Sequence, residues 1–349
     1  MPFNPQLILH TPDALNEQGQ LLLSHYPDAQ TMEVKQHNKL PEMDMSHYKA
    51  KSELLVLGRL KTRECKWSGR SSDYIAPSLA NGCFGGCTYC YVDRHKKINP
   101  ITIFTNIGEI LDTVDKHAAA LPWPKQPNQT DPLYWTYDIG CNSDISVDYS
   151  ISESIAQAFA FYRDHPRAKA TFATKFVNRD MLAFDPKRKV RIRFSLMPSR
   201  VSRLVDVRTE SIEKRLLAIN DFYDAGYEVH VNFSPVILYH QVNNDFRDWE
   251  ADYRELFRQL DAATRPEVKD QMKCEVIFLT HNKFQHLANL EINPKAEELL
   301  WTPELQETKR SSFGGINIRY EHELKSEMMH TFVRLLNEEI PWCGVRYIF

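Results

Sequence analysis

The sequence predicts an α/β fold, a partial (β/α)6-type barrel, on three observations. Strand-like and helix-like segments alternate from about residue 74 onward, a pattern that builds a mostly parallel sheet with right-handed crossovers. No GxGxxG follows the first strand, which disfavours a dinucleotide-binding sheet. A cysteine-rich loop does follow that strand, at the end where such barrels carry their chemistry.

Taken in order, "YIAPSLANG" leads into the cysteine loop, and "NIGEILDTVDKHAAAL" (106–121) reads as an amphipathic helix. "LYWTYDIG" (133–140) is an aromatic-rich strand, followed by the serine-led helix "ISESIAQAFAFYRDH". "KATFATKF" (169–176) and "VRIRFSLM" (190–197) are strands. "ESIEKRLLAINDFYDAG" (210–226) is a helix stopped by Gly226. Then come the strand "EVHVNFSPVILY" (228–239), the helix "WEADYRELFRQLDAAT" and the strand "KCEVIFLTH" (273–281). Residues 1–73 read as an N-terminal extension packing on the barrel, with one strand at "ELLVLGRLK". The barrel proper is assigned to 74–285, and 286–349 to a C-terminal segment that completes the substrate site. That last segment contains "SSFGGINIRY" and the helix "HELKSEMMHTFVRLLNEE".

The net charge of −3 argues against coating nucleic acid through bulk charge. No apolar run reaches the roughly eighteen residues of a membrane span, and the N-terminus lacks a basic n-region, so a cytoplasmic location is predicted. Thiols stay reduced there, which makes clustered cysteines ligands or reagents sooner than disulfides. Locally, Lys187, Arg188, Lys189, Arg191, Arg193, Arg200 and Arg203 form a basic run. It reads either as a phosphate-neutralising patch or as a solvated strand edge.

The loop "NGCFGGCTYCYVDRH" (81–95) places Cys83, Cys87 and Cys90 in C-x3-C-x2-C spacing. Three thiolates leave a tetrahedral centre one ligand short, a defect in structural zinc sites, which are closed by four ligands. In a 4Fe-4S cluster the vacancy leaves one iron open to a substrate or cofactor. Gly85 and Gly86 suit a backbone wrapped close to a cluster. A zinc site completed by His95 or a distant cysteine, or three unrelated buried cysteines, are the competing readings.

This spacing after the first strand resembles the radical S-adenosylmethionine superfamily. "NPQLILHTPDAL", "GCFGGCTYCY", "CNSDI" (141–145), "FATKF" (172–176) and "RFS" (193–195) further resemble the spore photoproduct lyase family, in that family's order. The resemblance implies a lyase that repairs 5-thyminyl-5,6-dihydrothymine, a UV lesion of adjacent thymines in DNA. It implies a 4Fe-4S cluster on Cys83, Cys87 and Cys90, and S-adenosylmethionine held by Ser143, Lys175, Ser195 and Ser234. By the same resemblance, Cys141 returns a hydrogen atom to the thymine radical left when a 5′-deoxyadenosyl radical takes the C6 hydrogen. Tyr89 and Tyr91 match the tyrosines that relay a hydrogen atom from cofactor to thiyl radical. A reductase such as flavodoxin or ferredoxin is the implied electron donor.

The chain departs from the family in "KRSSFGGINIRY", where Ser312 and Phe313 take the places of an Arg-Tyr pair that contacts the lesion and its phosphate. Phe313 can stack on a base, Ser312 cannot replace a guanidinium fork, and Arg310 or Arg319 lies near enough in sequence to compensate. The alternative this leaves open is a different pyrimidine lesion or a substrate that is not DNA. On DNA, a wedge is expected within 238–249 to help extrude the dinucleotide, with phosphate contacts from Lys187 to Arg203 or from Arg94, Lys96 and Lys97.

Overall fold

The structure, a computed structural model, describes residues 3–93, 98–239, 247–310 and 315–349. The chain folds as two units, one of residues 1–84, 96–193 and 224–228, the other of 85–95, 194–223 and 229–349.

In the first unit Leu7–His10 lies between Gln30–Glu33 and Leu54–Gly58, parallel to both. Ile101–Phe104 continues the sheet in parallel, and Ala80–Asn81 closes it in antiparallel. Ile8, Leu55, Leu57, Ile101 and Ile103 form its buried face. Where the sequence predicts one strand in residues 1–73, three of these five strands arise there. Leu7–His10 has four residues and Gln30–Glu33 is exposed throughout, so neither carries a clear alternation of apolar and polar positions.

The same unit holds Tyr74–Ile75, parallel to Trp135–Asp138, which is parallel to Ala168–Thr174. Beneath them charges are buried in pairs. Lys125 contacts Asp73 at 2.7 Å with both side chains fully covered, and Asp131 takes Lys169 at 2.8 Å and Arg191 at 3.2 Å.

In the second unit Glu228–Val236 is parallel to Lys273–Phe278, and Gly344–Ile348 pairs parallel to the latter. Helices Arg247–Ala263 and His322–Glu339 meet through Tyr253, Phe257 and Phe332, whose ring centroids stand 5.0–5.9 Å apart. The strands Gln306–Arg310 and Ile316–Tyr320 form an antiparallel hairpin, extended by Thr280–His281.

The strands Tyr74–Ile75, Trp135–Asp138, Ala168–Thr174, Val190–Leu196, Glu228–Val236 and Lys273–Phe278 neighbour one another in chain order. A doubly wound sheet would reverse that order at a switch point; a singly wound partial barrel keeps it. The helices Ile107–Ala120 and Ile212–Asp224 agree with the sequence reading to within two residues, and Gly226 stands at φ +95° beyond the second.

The basic run needs correction. Val190–Leu196 is buried at every position, so Arg191 and Arg193 lie in the interior with Lys189 just before them. Arg191 binds Glu228 at 2.8 Å, Arg193 binds Asp138 at 2.6 Å, and the Lys189 ammonium donates to the His165 carbonyl at 2.6 Å. These three form neither a phosphate patch nor a solvated edge; Lys187, Arg188 and Arg203 remain exposed.

Candidate active site

In the first unit the cysteine loop begins at Gly82, whose φ of +82° favours glycine. A Cβ there would stand 2.4 Å from the Pro100 carbonyl oxygen, so the position also lacks room. Its N–H donates to the Asn142 carbonyl at 2.9 Å, and Gly82 bridges Ser143 in parallel. The loop thus lies against the "CNSD" segment. The Cys83 carbonyl accepts from the ammonium of Lys51 at 3.0 Å, and Lys51 is fully buried on helix His47–Glu53.

Asp144 locks this segment. Its carboxylate accepts from Ser146 N at 3.1 Å, Thr174 Oγ1 at 2.7 Å and Lys175 N at 3.0 Å. One side chain therefore caps helix Ile145–Tyr149 and ties Cys141–Ser143 to the end of Ala168–Thr174, where Lys175 follows. The buried Ser143 hydroxyl faces the fully buried carboxyl of Asp148, which burial raises well above its usual range and the Ser143 hydrogen bond partly lowers.

Cys141 is half-buried, three residues beyond the strand Trp135–Asp138. Burial first, and then the Asp138 carboxylate that it hydrogen-bonds, push its thiol well above the usual value; Arg193 works in the opposite direction. The sulfur is held as S–H, the form that can give up a hydrogen atom.

In the second unit the loop continues from Gly85. Cys90 N donates to the Cys87 carbonyl at 3.1 Å, a tight turn around Thr88 and Tyr89. Gly86 N donates to Val207 O at 2.8 Å and Thr88 N to Val205 O at 2.9 Å. From the other direction Asn289 donates to Thr88 O at 2.6 Å. The same Asn289 also donates to Glu297, which accepts from His281 at 3.1 Å and His286 at 2.6 Å. The Tyr89 hydroxyl donates to Asp206, whereas Tyr91 is 52% exposed on a short 3-10 helix.

Ser195 is buried and its carbonyl accepts from Arg215 at 2.7 Å. Ser234 is half-buried where the strand register slips between Phe233 and Val236. Cys141 and Lys175 follow their strands, and Ser195 and Ser234 stand near the C-terminal ends of theirs, the edge that carries function in barrels. Arg310 is exposed at the end of its hairpin strand. Ser312 and Phe313 lie outside the described residues, as do Arg94, His95, Lys96, Lys97 and most of the expected wedge. The sequence reading assigns no individual role to Lys51, Asp144, Asp206, Arg215 or Asn289. Only Asp144 carried a signal, as the last residue of "CNSD" ahead of a helix.

Three cysteines in C-x3-C-x2-C spacing at the first turn of a singly wound sheet are the pattern of a radical S-adenosylmethionine enzyme. A family model described as Spore photoproduct lyase matches residues 3–349, and the chain belongs to that family. The spore photoproduct lyase of Bacillus subtilis (strain 168) is 29% identical over 79% of this chain and 78% of its own. That of Geobacillus sp. (strain Y412MC61) is 28% identical over 74% of each. A solved spore photoproduct lyase with bound AdoMet and dinucleoside spore photoproduct covers 100% of both chains with a TM-score of 0.87 at 24% identity, which establishes the fold. Another, complexed with dinucleoside spore photoproduct, gives 0.86 at 25% identity over the same coverage. No helix among the described residues is long and apolar enough to cross a membrane.

Proposed function

We propose that this chain is a radical S-adenosylmethionine lyase that repairs 5-thyminyl-5,6-dihydrothymine in DNA, in the cytoplasm. The observation that carries the reading is the Cys141 thiol, kept protonated beside Asp138 at a strand end in a member of this family. Three thiols in one loop fit a cluster with one iron left open to a polar ligand. When bound, the reduced cluster and S-adenosylmethionine supply the radical that takes the C6 hydrogen of the lesion.

The chain's own part is to position and to return a hydrogen atom. Cys83, Cys87 and Cys90 hold the iron, with Lys51 fixing the first peptide of the loop. Ser143, Lys175, Ser195 and Ser234 orient the polar groups of S-adenosylmethionine. Cys141 gives its S–H hydrogen to the thymine radical, and Tyr89 and Tyr91 restore it. The segment 286–349 completes the substrate site, with Arg310, Ser312 and Phe313 toward the lesion, and a flavodoxin or ferredoxin reduces the cluster.

Anaerobic incubation of reduced protein with S-adenosylmethionine and synthetic dinucleoside spore photoproduct tests the reading. Release of thymidylyl-thymidine is expected. Cleavage of S-adenosylmethionine without lesion reversal would instead point to a different pyrimidine lesion or a non-DNA substrate.

A further inference from the structure

Tyr89 has one feature that a tyrosine merely covering a cluster would not need. Its hydroxyl donates to Oδ1 of Asp206, a nearly covered carboxylate at the C-terminal end of helix Ser199–Val205. A phenol bound to a carboxylate is held by a charge-assisted hydrogen bond, stronger and more directional than one between neutral groups.

The carboxylate is itself fixed. Its Oδ2 faces both terminal nitrogens of Arg215 at 3.3 Å, and Ser202 Oγ at 3.4 Å. Arg215 is fully buried on helix Ile212–Asp224 and cannot swing away. Its remaining donors reach the Ser195 carbonyl at 2.7 Å, Thr209 Oγ1 at 2.7 Å and the Glu210 carbonyl at 3.0 Å. All five guanidinium N–H groups are therefore engaged, which makes the cation a rigid anchor. The backbone on either side of Asp206 is pinned to the same loop as Tyr89, since Val205 O and Val207 O accept from Thr88 N and Gly86 N. One short segment, 205–207, thus fixes the main chain of Gly86 and Thr88 just before Tyr89 and the phenol oxygen of Tyr89 itself.

We propose that Asp206, locked by Arg215, is the positioning residue that holds the Tyr89 oxygen in place for hydrogen return. The proposal rests on the relay reading of Tyr89. In that relay the Tyr89 O–H bond breaks as its hydrogen atom passes to the Cys141 thiyl and forms S–H, and the O–H bond re-forms with a hydrogen atom returned from the cofactor side, so no net charge or electron leaves Tyr89. Reacting atoms must approach to within about 3.5 Å, and a displacement of about 1 Å can cost a hundredfold. A freely rotating phenol would miss that geometry in most turnovers. Because Arg215 also binds the Ser195 carbonyl, a single guanidinium sets both a cofactor-facing strand end and the relay tyrosine.

The test compares wild type with Asp206→Ala, Asp206→Asn, Tyr89→Phe and the Asp206→Ala/Tyr89→Phe pair in the reconstituted holoprotein. Two quantities are read. One is S-adenosylmethionine consumed per dinucleoside lesion repaired; the other is the 19F resonance of 3-fluorotyrosine placed at position 89. Asp206→Ala should raise consumption per repair roughly tenfold or more and move the 19F signal toward that of a solvent-exposed residue. Asp206→Asn, which keeps an oxygen acceptor and the side-chain volume, should fall between it and wild type. The double variant should consume no more than Tyr89→Phe alone, because both substitutions remove the same function. Equal consumption and an unmoved 19F signal in Asp206→Ala would overturn the proposal, and so would additive effects in the double variant. If wild type itself fails to repair the lesion, the proposed function fails, while the 19F shift still decides whether Asp206 holds Tyr89.

Discussion

Arg193 Nη2 and Asp138 Oδ2 form an ion pair at 2.6 Å at the end of a barrel strand, and the Cys141 thiol hydrogen-bonds the same carboxylate. With burial as the larger cause, that carboxylate raises the thiol's pKa, so Cys141 stays S–H above the pH at which an ordinary cysteine ionises. Its alkylation rate by iodoacetamide, followed by peptide mass spectrometry, should keep climbing beyond about pH 8.5 without levelling. In Asp138→Asn the profile should level nearer the ordinary range, and an unchanged profile would remove Asp138 from the account. Deleting Arg193 instead strands a buried carboxylate and should cost about 3 kcal/mol or more of stability, read from urea unfolding.

Lys51 places an ammonium against the peptide of Cys83 from a fully buried helix position. If Cys83 holds the proposed cluster, a cation this close favours its reduced, more negative state. Lys51→Met keeps most of the apolar stem while removing the charge. The cluster potential, followed by EPR-monitored titration, should move negative by on the order of 50 mV, about a tenfold change in a one-electron equilibrium. Iron retained per chain after desalting should fall as well. An unchanged potential with full iron content would assign Lys51 a packing role only.

The sequence was legible where a residue's type alone restricts what it can do. Three cysteines in one loop, and strands alternating with helices in one winding direction, leave few folds to choose from. Pairing across distance was not legible. Arg191 and Arg193 read as surface charge because their partners Glu228 and Asp138 stand 37 and 55 residues away in the chain. Asp206 and Arg215 sit in an unremarkable "VDVRTESIEKR", and nothing there indicates that both close on Tyr89, 117 residues upstream of Asp206. Asp144 stands in the "CNSD" motif, yet its work, capping one helix while gripping Lys175 N, depends on the fold. Strands as short as Leu7–His10 carry too few residues for a period to show.

Lys189 gives a pH signature to the buried end of the basic run. Burial foremost, then the neighbouring Lys169 charge, lower its pKa to about 8, with Asp131 opposing. An ammonium with a depressed folded-state pKa is charged in the unfolded chain across the window where the folded chain releases its proton. The unfolded state then binds more protons, so stability rises with pH between about 8 and 10.5. Below pH 8 the full penalty is present. Lys189→Met should therefore stabilise the protein at pH 7 by roughly 1–3 kcal/mol, with the gain fading above pH 8. Its DNA affinity and salt slope should match wild type, because a buried lysine neutralises no phosphate. A reduced slope would return Lys189 to the nucleic-acid face.

Asn289 ties the cluster loop to a buried polar knot, and removing it should loosen the loop while the barrel stays folded. Its amide donates to the Thr88 carbonyl at 2.6 Å and also to Glu297. Burial alone would raise the Glu297 carboxyl, but hydrogen bonds from His281, Asn289 and His286 outweigh it and hold the pKa below the usual 4.5. His286 is further fixed by stacking on Trp301, with ring centroids 4.0 Å apart. A carboxyl with a depressed folded-state pKa contributes stability at neutral pH, and loses it only as pH falls below 4.5 toward the folded value. The knot is therefore intact across the working range, and Asn289→Ala tests the tether without changing its charge. The variant breaks one bond to the loop, one to Glu297 and one accepted from Gln285, so about 1–3 kcal/mol should be lost locally. Amide exchange at Gly86 and Thr88, which donate to Val207 and Val205, should accelerate roughly ten- to a hundredfold, while core strands such as Val190–Leu196 keep their protection. Uniform acceleration across the chain would show that Asn289 supports the whole unit and not the loop.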